Sequence, residues 1–511
     1  MILMNAANGR IAKNTGVLYF RLIFLTLINI YTVRVTFDAL GDVDYGIYNV
    51  VASVVASLSI LTGAMTSASQ RFLSFHLGKE DHAGYSHTFT LLLLAFLALS
   101  GIVVAVGEIL GYFFVEHWLK LPADRITASY WVYQTSLVAL VFSLLTIPYN
   151  SSIVANERMG VFGALSVVEG LLRLGIAFLI AAYLGDRLEL YSVLMAVVSL
   201  IVLMLTVWYC HRKIRYCKYV WKWDRSIFMQ LSAYTGWNLF GSVSSMLANQ
   251  GQAVLLNIFF GPVVNAAKAI ADRIQHVVNG FSINLYMAMS PQIVKSYAAE
   301  DYRRAMNLVI KTSKLSFLLI FVLSFPMLCN LDGLLRLWLN PEDVTPDMIG
   351  FCKLMLLYCM LLTLEQPVTR IIQATGDIKR YQISVGVLTL SYIPVAALVL
   401  AMGGSAVMSL VVLMAIMAVA QVVRIVVAHG QVGLDYGEYL RTVVYCIARV
   451  SVIAVPLYWY VSENQDVASW QAIIARTIVA GAFGVGIAII IGLDGNDRRM
   501  IREMINKKIG R

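Results

Sequence analysis

The chemistry of this chain is carried by a few ionisable side chains set inside long apolar runs. Arg21, Arg173, Lys268 and Arg273 are cations, and Glu169 and Asp272 carboxylates, each well inside a hydrophobic stretch of about 20 residues. Facing lipid, such a group costs roughly 2.5–3.5 kcal/mol, so it belongs on the wall of a wet cavity or in an ion pair. Cations held this way attract phosphate or carboxylate. Carboxylates held this way can exchange a proton or sodium, because burial favours their neutral form. Glu169–Arg173 and Lys268–Asp272 are spaced i,i+4, so each pair would also serve as a self-neutralised bridge. Arg21 and Arg273 have no local partner, which leaves the expected interior net positive.

The stretch Asn265–Gln292 organises these groups. On a helix, Lys268, Asp272, Gln275, Asn279, Ser282 and Tyr286 share one face, and Ala269, Ile270, Val277, Phe281 and Met287 the other. The preceding run carries a second stripe, Tyr234, Asn238, Ser245, Asn249 and Gln252, and the first run a third, with Asn14, Arg21, Thr32 and Thr36. Any single amide or hydroxyl of this kind is commonly helix-to-helix glue. Three stripes together favour a hydrated cavity, and their amides and tyrosines suit sugar recognition. The expected anion-binding set is therefore Arg21, Arg173, Lys268 and Arg273. The expected polar contacts are Tyr234, Asn238, Asn249, Gln252, Gln275, Asn279 and Tyr286, with Asp272 and Glu169 as coupling groups for protons or sodium.

The elements that position these residues follow from composition. The chain is 59% hydrophobic and 13% charged, with a mean hydropathy of +0.75, where soluble domains carry about 25% charge. An all-α integral membrane protein is expected, with about fourteen transmembrane helices between residues 14 and 492. Its net charge of +10 lies in short loops, which favours membrane over nucleic acid. The loops on the outer side hold only Lys120, Arg125 and Arg187, so the positive-inside rule places both termini in the cytoplasm. Six cysteines form no CxxC and no Cys/His cluster, so neither a metal site nor a disulfide framework is expected, and no cofactor.

An internal repeat sets the architecture. Gly41 matches Gly261, Glu80-Asp81 matches Glu300-Asp301, and Pro148-x6-Ala155-Asn-Glu matches Pro367-x6-Ala374-Thr-Gly, all near an offset of about 220. That offset spans an even number of helices, which implies two parallel six-helix lobes. The expected limits are 1–210 and 227–428 for the lobes, 211–226 for a basic linker, 441–492 for two additional helices and 493–511 for a basic tail. Lys295–Lys314 reads as a short amphipathic surface helix. Arg71, Arg336, Lys353, Arg370, Arg424 and Arg476 lie near expected helix ends, where snorkelling to headgroups accounts for them.

Two strings resemble enzyme motifs. His76-x4-Asp81 has an acyltransferase spacing, but the repeat copy of it lacks the histidine. Asp42-Val-Asp44 resembles a metal-binding DxD, but it lies in a tight outer loop. With no phosphate-binding loop and no long soluble loop, an enzyme is not expected.

Ser69-Gln70-Arg71-Phe72, the run Ser290-Pro291-Gln292 to Glu300-Asp301, and Gln373-Ala374-Thr375-Gly376-Asp377 to Arg380 carry a family resemblance. With the span count and the repeat, the chain resembles the Wzx-type polysaccharide flippases of the multidrug/oligosaccharidyl-lipid/polysaccharide exporter superfamily. The resemblance implies a V-shaped two-lobe fold in the bacterial inner membrane. It also implies alternating-access transfer of undecaprenyl-diphosphate-linked oligosaccharide units, as for O-antigen or capsule, from the cytoplasmic to the periplasmic leaflet. Implied partners are the lipid-linked oligosaccharide, membrane lipids, a polysaccharide polymerase and chain-length proteins. Lipid II-type flippases also have fourteen spans, and in such relatives the last two help form a groove for the lipid tail. Multidrug exporters of the superfamily usually stop at twelve.

Overall fold

Long apolar runs with capped ends dictate helices, and helices are what the chain forms. A computed structural model describes residues 2–57, 60–113, 125–221, 224–339, 342, 344–463, 469–495 and 498. Among the described residues there is no strand. The first elements are α1 (Ile2–Ser57, two helical segments that meet at a kink at the non-helical Gly41), α2 (Ile60–Gly78), α3 (His82–Phe113), α4 (Ile126–Ala155), α5 (Met159–Ala182) and α6 (Arg187–Lys213). There follow α7 (Arg225–Phe260), α8 (Pro262–Ala298), α9 (Tyr302–Cys329), α10 (Leu331–Trp338), α11 (Pro346–Leu362) and α12 (Glu365–Thr375). The last are α13 (Lys379–Ala401), α14 (Met408–Val432), α15 (Tyr436–Tyr439), α16 (Tyr445–Glu463) and α17 (Trp470–Ile487). Most of the basic tail expected over 493–511 lies outside the described residues.

Among the described residues, eleven helical stretches are long and apolar enough to cross a membrane, so the protein is a multi-pass integral membrane protein. α7 and α8, at 36 and 37 residues, are longer than these but too polar to be among them. They are the helices that carry the amide and charged stripes. No separate surface helix occupies Lys295–Lys314: α8 runs on to Ala298, and the rest belongs to the 28-residue α9. The apolar residues between Leu308 and Phe325 pull that segment into the core, where Lys314 is itself buried.

Local chemistry fixes the helix ends. Asp186 caps α6 by accepting from the amides of Leu188 and Glu189, and Asp301 caps α9 through Arg304. Pro262 and Pro346 open α8 and α11, where a missing N–H costs nothing.

The repeat is written into the backbone. Gly41 and Gly261 share nearly the same left-handed conformation, φ 77 and φ 79. Glu80 and Glu300, at φ 56 and 62, are matched left-handed turns, as are Glu157 and Gly376, at φ 59 and 86. A left-handed non-glycine residue is strained by about 1–2 kcal/mol. Three glutamates bear that strain because the turns between helices require it.

Pro148 and Pro367 show where the copies diverge. α4 runs unbroken through Pro148. In the second copy the backbone stays helical through Thr363–Leu364, between α11 and α12, but Pro367 lacks the N–H that the Thr363 carbonyl would accept from.

The chain forms two compact units, Ile11–Ser242 and Val243–Arg511 with Met1–Arg10. In the first, glycines on α5 admit α1: a Cβ at Gly163 would meet Val17 at 3.2 Å and one at Gly170 would meet Leu25 at 2.7 Å. In the second, α16 and α17 pack on α9 through Phe317, Phe321, Phe325, Val450, Ala480 and Ile487. Lys314 on α9, itself buried, meets the half-exposed Asp494 beyond α17, Nζ to Oδ2 at 2.6 Å, and fastens that segment to α9. Arg449 on α16 reaches the same carboxylate at 3.4 Å.

Candidate polar cavity and apolar groove in the second unit

The face of α8 that carries the charges lines a cavity of about 620 Å³, closed by α7, α11, α12, α13 and α14. Lys268, Asp272, Gln275, Asn279 and, from α7, Asn249 line it, as the helical spacing predicts. Asn265 donates to the Ala253 carbonyl at 3.0 Å and sets α8 against α7.

Two ion pairs dominate the wall. Lys268 meets Asp272 at 2.6 Å, with side chains 8% and 33% exposed. Arg424 on α14 meets Glu365 at 2.9 Å, with side chains 4% and 24% exposed. Each pair buries its cation and leaves its carboxylate the more open partner. The four charges cancel, so this cavity is electrostatically balanced.

Glu365 and Arg424 were not among the residues singled out from sequence, because both read as lying near helix ends. Glu365 stands two residues before Pro367 in the first turn of α12, on the cavity wall. The Leu364 carbonyl accepts from Gln421 Nε2 at 2.9 Å. Pro367, two residues after the glutamate, was the signal available. Arg71, Arg370 and Arg424 are all buried within the protein, which excludes snorkelling for these three. Arg71 lies over the rings of Phe72 and Phe75 at 4.4 and 4.8 Å.

The other expected residues fall elsewhere. Arg273 is exposed and does not line the cavity. Gln252 is buried and donates to Ser409 Oγ at 3.4 Å. Tyr286 accepts at its hydroxyl from Arg370 Nε at 2.6 Å. Tyr234 and Asn238 are buried in the first unit, with Tyr234 edge-on to Phe72 at 5.6 Å.

The first unit gathers Arg21, Glu169 and Arg173. Arg173 bonds Glu169 at 2.6 Å, and Arg21 lies over the Phe162 ring at 4.7 Å. The Gly163/Gly170 seam that admits α1 brings Arg21 to this place. Its Nε and Nη1 are buried with no hydrogen-bond partner among the described residues. This cluster carries one more cation than carboxylate.

A second cavity in the second unit, about 590 Å³, is almost wholly apolar. α9 supplies Phe317, Phe321 and Phe325, and α16 supplies Ile447, Ala454 and Val455. α11 separates it from the polar cavity. Tyr358 and Leu362 face the polar side, while Lys353, Leu354, Leu357 and Leu361 face the apolar one.

The enzyme-like strings are engaged structurally. His76 Nδ1 pairs with Asp81 at 2.9 Å and its Nε2 with Thr88 at 3.0 Å, so both ring nitrogens are committed to the turn before α3. The Gly84 amide, donating to Asp81, holds that carboxyl below its ordinary range. Asp44 pairs with Arg125 at 2.8 Å, and Arg125 also holds Asp186 at 2.7 Å. The side chain of Asp42 lies outside the described residues.

An all-helical chain of two repeated units defines the class: the fold is that of the MATE transporters of the MOP superfamily. Residues 239–398 match the MatE family, and this range covers much of the polar cavity. A MATE protein in the straight conformation superposes with a TM-score of 0.71 at 11% identity, covering 83% of this chain and 95% of that one. An outward-facing multidrug resistance MATE transporter gives 0.69 at 10% identity, covering 84% and 97%. A MOP superfamily transporter from Pyrococcus furiosus, described as having a binding pocket of reverse polarity, gives 0.68 at 11% identity, covering 82% and 95%. No curated protein matches the chain.

Proposed function

We propose that the protein is an exporter of an amphiphile, a polyprenyl-diphosphate-linked oligosaccharide carried from the cytoplasmic to the outer leaflet by alternating access. The observation that carries this reading is the pair of cavities on opposite faces of α11, one lined by amides and paired charges, the other by hydrocarbon. A small polar solute has no use for the second, nor a purely apolar one for the first. Gln275, Asn279 and Asn249 present donors and acceptors suited to sugar hydroxyls. The apolar groove, to which α16 contributes, suits a prenyl tail, with the Lys353 amine for an anionic group. Arg21, with two unpaired guanidinium nitrogens, and Arg173 and Arg273 are the proposed diphosphate contacts.

Asp272 and Glu365 are the proposed coupling groups in this unit and Glu169 in the other. Protonating Asp272 would release the Lys268 amine and turn a balanced cavity cationic. The lobes at 1–210 and 227–428, with both termini in the cytoplasm, remain part of this proposal.

Deleting the gene and analysing lipid-linked intermediates tests it. Accumulation of single units facing the cytoplasm, with surface glycan lost, is expected, and normal surface glycan would refute it. In complementation, Gln275→Ala/Asn279→Ala should lower glycan export without lowering protein level. The carboxylates and the multidrug transporter among the similar structures favour one second reading, export of cationic drugs. Increased drug sensitivity of the deletion strain with unchanged glycan would select it.

A further inference from the structure

The basic segment after α6 is not a loose linker. Ile214 and Cys217 are buried, and Cys217 Sγ lies 3.0 Å from Ser152 Oγ. Ser86 donates to the Tyr216 carbonyl at 2.8 Å, and Thr90 Oγ1 accepts from the Val220 amide at 2.9 Å. Tyr216 stacks on His82 with ring centroids 3.9 Å apart, and the Tyr219 hydroxyl lies 2.7 Å from His211 Nε2 and 2.9 Å from that of Tyr149. The segment is thus a strap sewn across the ends of α3, α4 and α6.

Pinning one side determines the other. Arg212, Lys213, Arg215 and Lys218 are all exposed, and no acidic residue lies between Glu189 and Asp224 to neutralise them. Beside them Trp221 is 80% exposed, with Val220 and Trp208 also outward. A 27-residue helix spans about 40 Å, against roughly 40–45 Å for a bilayer with its headgroups, so the end of α6 delivers the strap to headgroup depth. Tryptophan at that depth sits in the interface, and lysine and arginine attract acidic lipids.

We propose that this strap is a docking surface for the anionic headgroups of the leaflet it faces. Arg212, Lys213, Arg215 and Lys218 supply the charge, and Trp221 supplies the interfacial anchor. A nucleic acid would also answer the charge and could stack on the indole. It gives the exposed valine nothing apolar to enter, however, and α6 sets the strap at headgroup depth, so the lipid surface is favoured. The strap leads into α7, so lipid held here would tether the segment of chain that passes into the second unit.

The test uses the full chain in phospholipid nanodiscs containing either brominated phosphatidylglycerol or brominated phosphatidylcholine. Quenching of Trp221 fluorescence is taken by difference from Trp221→Phe. The expected result is a preference for the anionic lipid of about fivefold or more, the equivalent of one fully engaged cation. It should fall as salt is raised and collapse in R212Q/K213Q/R215Q/K218Q. Equal quenching by the two lipids, or a preference indifferent to salt, would overturn the proposal even if the fourfold variant does not fold. Relief of the quenching by added RNA at physiological salt would overturn it in favour of nucleic acid.

Discussion

Glu365→Gln is the sharpest test of the cavity, because it removes a charge and almost nothing else. The amide keeps the volume and can still accept a hydrogen bond from Arg424, so packing is preserved. What is lost is attraction between opposite charges 2.9 Å apart at their nearest atoms. With charge centres about 4 Å apart and an effective dielectric constant near 20, that attraction is about 4 kcal/mol. The guanidinium, 4% exposed, cannot recover this from water. Leaving one partner of a buried pair uncompensated typically costs about 3–5 kcal/mol, and we predict about 3 kcal/mol for Glu365→Gln. The double variant Glu365→Gln/Arg424→Gln removes both charges and should return to within about 1 kcal/mol of the parent. Reversible denaturation of the full chain in micelles gives both numbers. If Glu365→Gln costs less than about 1 kcal/mol, or the double variant is no more stable than the single, Arg424 is not a buried cation held by this carboxylate.

Other outcomes follow from the same geometry. Glu169→Gln breaks an ion pair with side chains 36% and 42% exposed, and in the same assay should cost no more than about 1 kcal/mol. Glu157→Gly relieves a left-handed residue where the second copy already has Gly376, and should stabilise the chain by up to about 1 kcal/mol in the same titration. Lys314 and then Arg449 hold the Asp494 carboxyl below its ordinary value of 3.8. A depressed folded value stabilises the fold above the unfolded value and withdraws that support as pH falls through the folded one. Hydrogen exchange should therefore show α16 and α17 loosening in acid, and Asp494→Asn should loosen them already at neutral pH.

Much of this was legible in the sequence, for identifiable reasons. The polar face of α8 was readable from spacing alone, because a charged stripe on a membrane helix belongs on a cavity wall or in an ion pair. The repeat was readable at Gly41, Glu80 and Glu157 because turns that demand a left-handed residue tolerate few substitutes, whereas the apolar helices between them tolerate many. Arg273 shares the depth of its neighbours but not their face, so it does not line this cavity. Arg71, Arg370 and Arg424 were taken for snorkelling residues because depth along a span says nothing about which way a side chain turns. The partner of Arg424 is 59 residues away in sequence, so no local pattern could have paired them. The apolar groove was equally hidden, since Phe317, Phe321 and Phe325 at helical spacing look the same whether they bury one another or line a space.

The two copies of the repeat share turns but not chemistry, and one proline accounts for a good part of the difference. Pro148 sits inside α4, which runs unbroken from Ile126 to Ala155. Around Pro367 the backbone stays helical, but the missing N–H leaves the Thr363 carbonyl without its helical donor within the apolar layer. Polar backbone at that depth must be answered by polar side chains, and Gln421 at the Leu364 carbonyl does so. The start of α12 then offers Glu365 to Arg424, and the two make a wall that water can wet. Glu365 and Arg424, near Pro367, thus share the wall of the cavity that Lys268 and Asp272 line.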